Sequence, residues 1–198
     1  MTGNYLIFNI LKRTFIAIPF KPHNEWFQIV KDMQTLDWGA AMKWVEPEQW
    51  HITLAFIGNT STVQEIEIKQ LLTKLISGFE VIDVSLSGFG TFPDEGMAKV
   101  LWIGVESSLQ LEALHVKLAD ELARLGLAFD AKSFVPHVTL ARVRNIIYPK
   151  LFKAAFNQIG FSNEVNCSLT KVVYYESVLS RDGAIYKALW SGSLSSAQ

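Results

Sequence analysis

Cysteine is almost missing from this 198-residue chain, Cys167 being the only one. A single thiol excludes an internal disulfide and a zinc-holding Cys cluster, which points to a reducing compartment and to a small buried side chain. Long apolar runs are missing too. The best candidate, residues 5–20, is broken by Lys12-Arg13, far short of the roughly 18–20 apolar residues that span a bilayer. Charge of one sign is not in excess either: 18 Lys+Arg face 19 Asp+Glu, a formal net charge of −1. No overall positive field draws such a chain onto a polyanion, so any such contact is local. Together these absences lead us to expect soluble, cytoplasmic protein with no membrane partner. What is present is apolar material: 49% of positions are hydrophobic and 12% aromatic, enough for one sizeable core or two small lobes.

Strand and helix signals alternate along the chain. Residues 14–18 are β-prone and closed by Pro19, and 22–36 carry Trp26, Phe27, Val30 and Met33 at helical spacing. Residues 51–57 read as a strand stopped at Gly58-Asn59. After a Ser/Thr-rich start, 61–76 read as a helix with Val63, Ile66, Leu71, Leu72 and Leu75 on one face. A hairpin is expected from 81–92, bent at Gly88 and Gly90, and 97–105. Residues 109–125 then form an amphipathic helix ended by Gly126. A strand at 137–143, a helix at 148–159 and two last strands at 165–175 and 184–190 complete the series. Hairpins break strict strand–helix alternation, so the class expected is α+β rather than doubly wound. Residues 12–191 are taken as a single domain, 1–11 as an N-terminal extension and 192–198 as a loose tail.

One internal echo stands out. His51-Ile-Thr-Leu-Ala-Phe-Ile and His137-Val-Thr-Leu-Ala-Arg-Val agree in kind at every place but the sixth. With four His and ten Thr in the chain, composition predicts only about 0.2 occurrences of His-x-Thr. A duplicated half-domain is the simplest cause. Strand alternation puts His51, Thr53 and Ala55 on one face and Ile52, Leu54 and Phe56 on the other. The same parity separates His137, Thr139 and Ala141 from Val138, Leu140 and Arg142. Two such strands meeting across a pseudo-twofold axis gather two imidazoles and two hydroxyls around one point. That is a site for a tetrahedral anion, with Thr hydroxyls donating to phosphate oxygens and the histidines sharing acid and base work near neutral pH. No metal, cofactor or covalent intermediate is required. The residues alone do not say which histidine does which.

Two H-x-T-x motifs, the first between Trp50 and Phe56-Ile57-Gly58 and the second inside Pro136-His137-Val-Thr-Leu-Ala-Arg142, resemble those of the two-histidine phosphoesterase superfamily. Arg13-Thr-Phe-Ile-Ala-Ile18 and Val100-Leu-Trp-Ile-Gly104 are similar to the RNA 2′,3′-cyclic phosphodiesterases of that superfamily, also called LigT or 2′-5′ RNA ligases. The resemblance extends from about Arg13 to Trp190. It implies a bilobal, duplicated α+β fold, two mainly antiparallel sheets facing a central cleft with helices outside. It also implies that His51 donates and His137 accepts a proton, that Thr53, Thr139 and Arg142 bind phosphate, and that Phe56 lies near the base. Unbroken strand parity sets Arg142 and Phe56 against that assignment. The substrate implied is RNA or a nucleotide ending in a 2′,3′-cyclic phosphate, opened to a 2′-phosphate without metal. A monomer with no obligate protein partner is expected.

Rival readings keep or discard the chemistry. A 2′-5′ RNA ligase or another cyclic-nucleotide phosphodiesterase would use the same site, whereas a binding module would use the histidines only as donors. A metal site lacks support in the sequence, with no H-E-x-x-H, no Cys pair and no carboxylate within two residues of either motif histidine. A lone strand histidine is usually a hydrogen-bonded structural residue, and only the duplication reverses that. His23 and His115 have no echo and read as surface or boundary residues. Gly88-Phe-Gly-Thr-Phe-Pro93 offers aromatics for stacking or for the core, and Lys132, Arg142, Arg144 and Lys150 form either a guide for an RNA backbone or a solvated surface. Tyr174, Tyr175, Tyr186 and Trp190 most simply fill or edge a sheet.

Overall fold

The computed structural model describes residues 11–21, 24–93, 98–106, 108–127, 129, 134–159, 165–180 and 183–196. In chain order the elements are β1 (Lys12–Pro19), α1 (Asn24–Thr35), β2 (Ala40–Trp44), a 3-10 turn (Pro47–Gln49), β3 (His51–Thr60), α2 (Thr62–Ile76), β4 (Ile82–Phe92), β5 (Val100–Val105), α3 (Leu109–Arg124), β6 (His137–Ile146), α4 (Pro149–Gln158), β7 (Val165–Leu169), β8 (Lys171–Ser180) and β9 (Gly183–Ser193). The class is α+β, as expected. Residues 1–11 were expected to form an extension, of which 1–10 lie outside the described residues, as does His23.

The strands form one open ladder in the order β7-β4-β5-β6-β3-β1-β8-β9, with β2 also paired to β6. Its halves correspond. Outward from the middle, β3, β1, β8 and β9 answer to β6, β5, β4 and β7, and the helix joining β1 to β3 answers to the one joining β5 to β6. Along the strand path β3 meets β6 at one antiparallel pair, Ile52 opposite Val138, and β2, which lies between β1 and β3 in the chain, pairs with β6 as well, so the two lobes share one ladder. Ile52 and Val138 are both fully buried. The histidine before each therefore belongs to the seam of the molecule.

Burial explains why each helix sits where it does. In α3, Leu111, Leu114, Leu118 and Leu122 are fully buried, as their spacing predicts. In α2 the stripe differs from expectation: Ile68, Leu72, Leu75 and Ile76 are buried while Val63 and Ile66 are exposed. The helical period of 3.6 puts Glu65 on the buried stripe and Val63 and Ile66 off it. Glu65 is matched there by Lys12 at 2.8 Å and Lys69 at 2.6 Å, and those two ammonium groups outweigh burial to hold its carboxyl below the usual range. Ser61 and Gln64 form a capping box that starts the helix.

Three expectations are corrected by pairing. The strand expected to stop at Gly58 continues to Thr60, because Gly58, at φ +81°, sits in an irregularity of the β1 ladder where Thr14 faces Gly58 and Phe15 faces Phe56. The expected strand 165–175 is two: β7 pairs with β4, and after Thr170 β8 pairs with β1 in the other half. A continuous β-prone run carries no mark of a change of partner. The expected tail is tied down as far as Ser195: β9 runs to Ser193, Leu194 is buried, and Ser195 exchanges backbone hydrogen bonds with Phe79 and Val81. Cys167 is half-buried, its S–H directed at the Val84 carbonyl, and burial followed by the charge of Asp83 pushes its thiol up to about 11. No helix among the described residues is long and apolar enough to cross a membrane.

Candidate active site

The seam pair fixes the first feature of the site. Ile52 and Val138 point into the core, so strand alternation turns His51 and Thr53, and His137 and Thr139, to the opposite face. Antiparallel pairing carries His51 toward Thr139 and Thr53 toward His137. The four side chains singled out by the echo are thereby brought together from both halves, and all four are half-buried.

The rings are held alike. Nδ1 of His51 lies 2.6 Å from the carbonyl of Gln49, and Nδ1 of His137 lies 2.7 Å from the carbonyl of Val135. A carbonyl only accepts, so Nδ1 carries the proton in either charge state and Nε2 is left to take or give one. Burial lowers the pKa of both imidazoles, against the opposing effect of those carbonyls, and His51 is lowered further by the positive charges of His137 and Arg142. His51 therefore lies within electrostatic reach of both His137 and Arg142.

Arg142 and Phe56 reach this face by a route that simple alternation misses. In the β5–β6 ladder Trp102 faces Thr139 but Leu101 faces Ala141, so Leu140 is an extra residue, and Arg142 then faces Val100. Val100, Trp102 and Gly104 alternate regularly, and their partners are Arg142, Thr139 and His137. In the β1–β3 ladder the extra residue next to the motif is Leu54, and Phe15, Ala17 and Pro19 face Phe56, Thr53 and His51. Each bulge inverts the parity after it. The parity objection to Arg142 and Phe56 is thus overturned, at the same place in both copies of the motif. Phe56 is 49% exposed and Arg142 is exposed.

Aromatic side chains wall both imidazoles. His51 stands 5.2 Å from the ring of Phe15 and edge-on to Tyr186 at 5.3 Å, and Phe15 also stacks on Tyr175. His137 meets Phe92 edge-on at 5.0 Å and Trp102 at 6.0 Å. Gly90 makes room for that indole: a Cβ there would lie 2.1 Å from it. The bend that carries Phe89 and Phe92 divides its aromatics, Phe89 packing by Trp26 at 6.0 Å. Composition gives Tyr175 and Tyr186 no role beyond filling a sheet and does not distinguish Phe15 or Trp102; what marks them is their position on strands outward of β3 and β6 in the ladder, legible only once the register is known.

The β8–β9 hairpin closes one side. Ala184 accepts a hydrogen bond from Gln49, and Lys43, opposite Arg142 on β2, reaches Gly183. Of the basic cluster, Arg142 is on the site face, Arg144 falls at a break in the β2–β6 register, Lys150 is exposed at the start of α4, and Lys132 lies outside the described residues. Among the described residues no three His, Cys, Asp or Glu stand together in a way that holds a metal ion. The arrangement offers two tautomer-locked imidazoles, two hydroxyls and a guanidinium on one face, with aromatic walls behind.

The family model for the 2′-5′ RNA ligase superfamily matches residues 28–176. This chain belongs to that superfamily. A protein of Thermotoga maritima named RNA 2′,3′-cyclic phosphodiesterase is 32% identical over 180 residues, 90% of this chain and 93% of that protein. Among solved structures, TT0787 of Thermus thermophilus is similar in fold, with a TM-score of 0.74 at 22% identity over 94% of this chain and all of that one. LigT of E. coli, in a crystal structure complexed with 3′-AMP, gives a TM-score of 0.68 at 23% identity over 93% of this chain and 99% of that one.

Proposed function

We propose that this superfamily member is a metal-independent RNA 2′,3′-cyclic phosphodiesterase acting on RNA or nucleotides that end in a cyclic phosphate. The observation that carries the reading is the pair of imidazoles beside the seam, each with Nδ1 bound to the carbonyl two residues before it. Names of relatives support the substrate class, and the 3′-AMP complex of LigT supports a nucleotide in this fold. Thr53, Thr139 and Arg142 hold the phosphate oxygens, and Phe56 lies against the base. Neutral His137 takes a proton from water through Nε2 as the water oxygen bonds to phosphorus. The bond from phosphorus to O3′ breaks, and protonated His51 gives its Nε2 proton to O3′. A 2′-phosphate and a 3′-hydroxyl result, and proton exchange with solvent resets the pair.

Both imidazoles are held below their ordinary pKa in the free protein, so the acid must gain its proton with the substrate. An anionic phosphate reverses the penalty that His137 and Arg142 place on the imidazolium of His51. Residues 12–191 act as one catalytic unit in this reading. Turnover of 2′,3′-cyclic AMP followed by phosphorus NMR tests it: 2′-AMP should form, EDTA should leave the rate unchanged, and His51→Ala or His137→Ala should each lose a factor of at least about a thousand while staying folded. Near-wild-type turnover by both variants would refute it.

A further inference from the structure

The two bulges beside the catalytic strands are secured differently. In the second half the carbonyl of Leu140, the extra residue, accepts from the backbone N–H of Val45 at 2.8 Å. In the first half the carbonyl of Leu54, the corresponding extra residue, accepts from a side chain: Nδ1 of His115 on α3, at 3.1 Å. A carbonyl shifted out of regular pairing needs a donor, and the fold supplies one from 61 residues away. His115 does more than this. Its ring lies flat on Phe134, with centroids 4.0 Å and planes 7° apart. Phe134 directly precedes Val135, whose carbonyl fixes Nδ1 of His137.

One half-buried histidine that the mechanism does not use thus touches two devices that shape the site. Its hydrogen bond holds the bulge that turns Phe56 onto the face of His51. Its ring steadies the segment that aims His137. We propose that His115 is a positioning residue for the reaction, setting the base-side wall through Leu54 and the general base through Phe134. This rests on the proposed function, since the two devices matter only if Phe56 and His137 meet substrate. Burial keeps the imidazole below its ordinary pKa despite the Leu54 carbonyl, consistent with a neutral ring stacked on a neutral ring.

The two handles separate by mutation. His115→Phe keeps an aromatic ring on Phe134 and loses the donor; His115→Asn keeps a donor near the place of Nδ1 and loses the stack. With 2′,3′-cyclic AMP as substrate, His115→Phe should raise KM about tenfold with kcat within twofold, and His115→Asn should lower kcat about tenfold with KM little changed, since small misplacements of reacting groups cost factors of this order. A cyclic phosphate without a base, glycerol 1,2-cyclic phosphate, should not register His115→Phe. The double variant His115→Phe with Phe56→Ala should be no worse than Phe56→Ala alone, as expected for residues acting through one device. Thermal melting of each variant separates these effects from loss of folded protein. Equal kinetic losses in both single variants, additive losses in the double variant, or no loss at all would overturn the positioning role while leaving the proposed function standing. Failure of the wild-type chain to open 2′,3′-cyclic AMP would overturn the proposed function and the positioning role together.

Discussion

Replacing Gly90 by alanine should damage the site without touching a group that meets phosphate. The new Cβ would sit 2.1 Å from one carbon of the Trp102 indole and 2.2 Å from the next, where ordinary contact begins near 3.4 Å. Main chain on both strands is held by the β4–β5 ladder, Gly90 being directly opposite Trp102, so the indole must retreat by more than an ångström. Its neighbours on that face are Phe92 at 5.0 Å and His137 at 6.0 Å. A displaced indole therefore presses on the wall beside His137, the proposed general base. Overpacking of this kind costs about 1–3 kcal/mol of stability, and a misplacement near 1 Å at a reacting group costs roughly a hundredfold in rate. The assay is kcat on 2′,3′-cyclic AMP with a thermal melt of the same samples. Trp102→Leu in the Gly90→Ala background restores room and should recover part of the melting temperature. Unchanged kcat and melting temperature in Gly90→Ala would refute the claim that this close approach shapes the site.

Further outcomes follow from the pKa directions. A base must be neutral and an acid charged, and both free-protein pKa values lie below the ordinary imidazole value, so kcat/KM should trace a bell with both limbs below about pH 6.5; a kcat/KM still rising above pH 7 would contradict this. Bound phosphate stabilises the imidazolium, so the kcat profile should lie at higher pH than that of kcat/KM. Stability should fall as pH drops below about 6.5, because His51, His115 and His137 bind protons more weakly folded than unfolded, and level off below the folded pKa values; urea unfolding at a series of pH values checks it, with a shallower fall expected in His51→Ala. Arg142→Leu removes a positive charge that lowers His51 and should move the NMR titration of His51 upward, that of His137 moving less. No shift at His51 would place Arg142 away from it.

The motif was legible because a duplication repeats its chemistry: His51 with Thr53, and His137 with Thr139, sit two apart on strands whose alternate residues are apolar. Alternation also placed their backs in the core, and Ile52 and Val138 are there. It failed from the next step on. Leu54 and Leu140 look like ordinary inward residues, and nothing local marks them as extra, since a bulge is set by the strand opposite; hence Phe56 and Arg142 were set on the wrong face by parity and on the right one only by resemblance. The five residues of β2 were missed because Ala40-Ala-Met-Lys-Trp44 lacks a β-branched side chain. The split at Thr170 was hidden for a related reason, β7 and β8 being distinguished by partners in different halves rather than by composition. Helix ends were clearer, as at Ser61 and Gly126, because caps are written in neighbouring residues.

A crystal structure of this chain with 2′-AMP bound tests the two-imidazole arrangement most directly. The account predicts Nε2 of His51 and Nε2 of His137 on either side of one phosphorus, each within hydrogen-bond distance of the phosphate group, with Thr53 and Thr139 donating to the remaining oxygens. A phosphate held elsewhere, or reached by only one of the two rings, would contradict it.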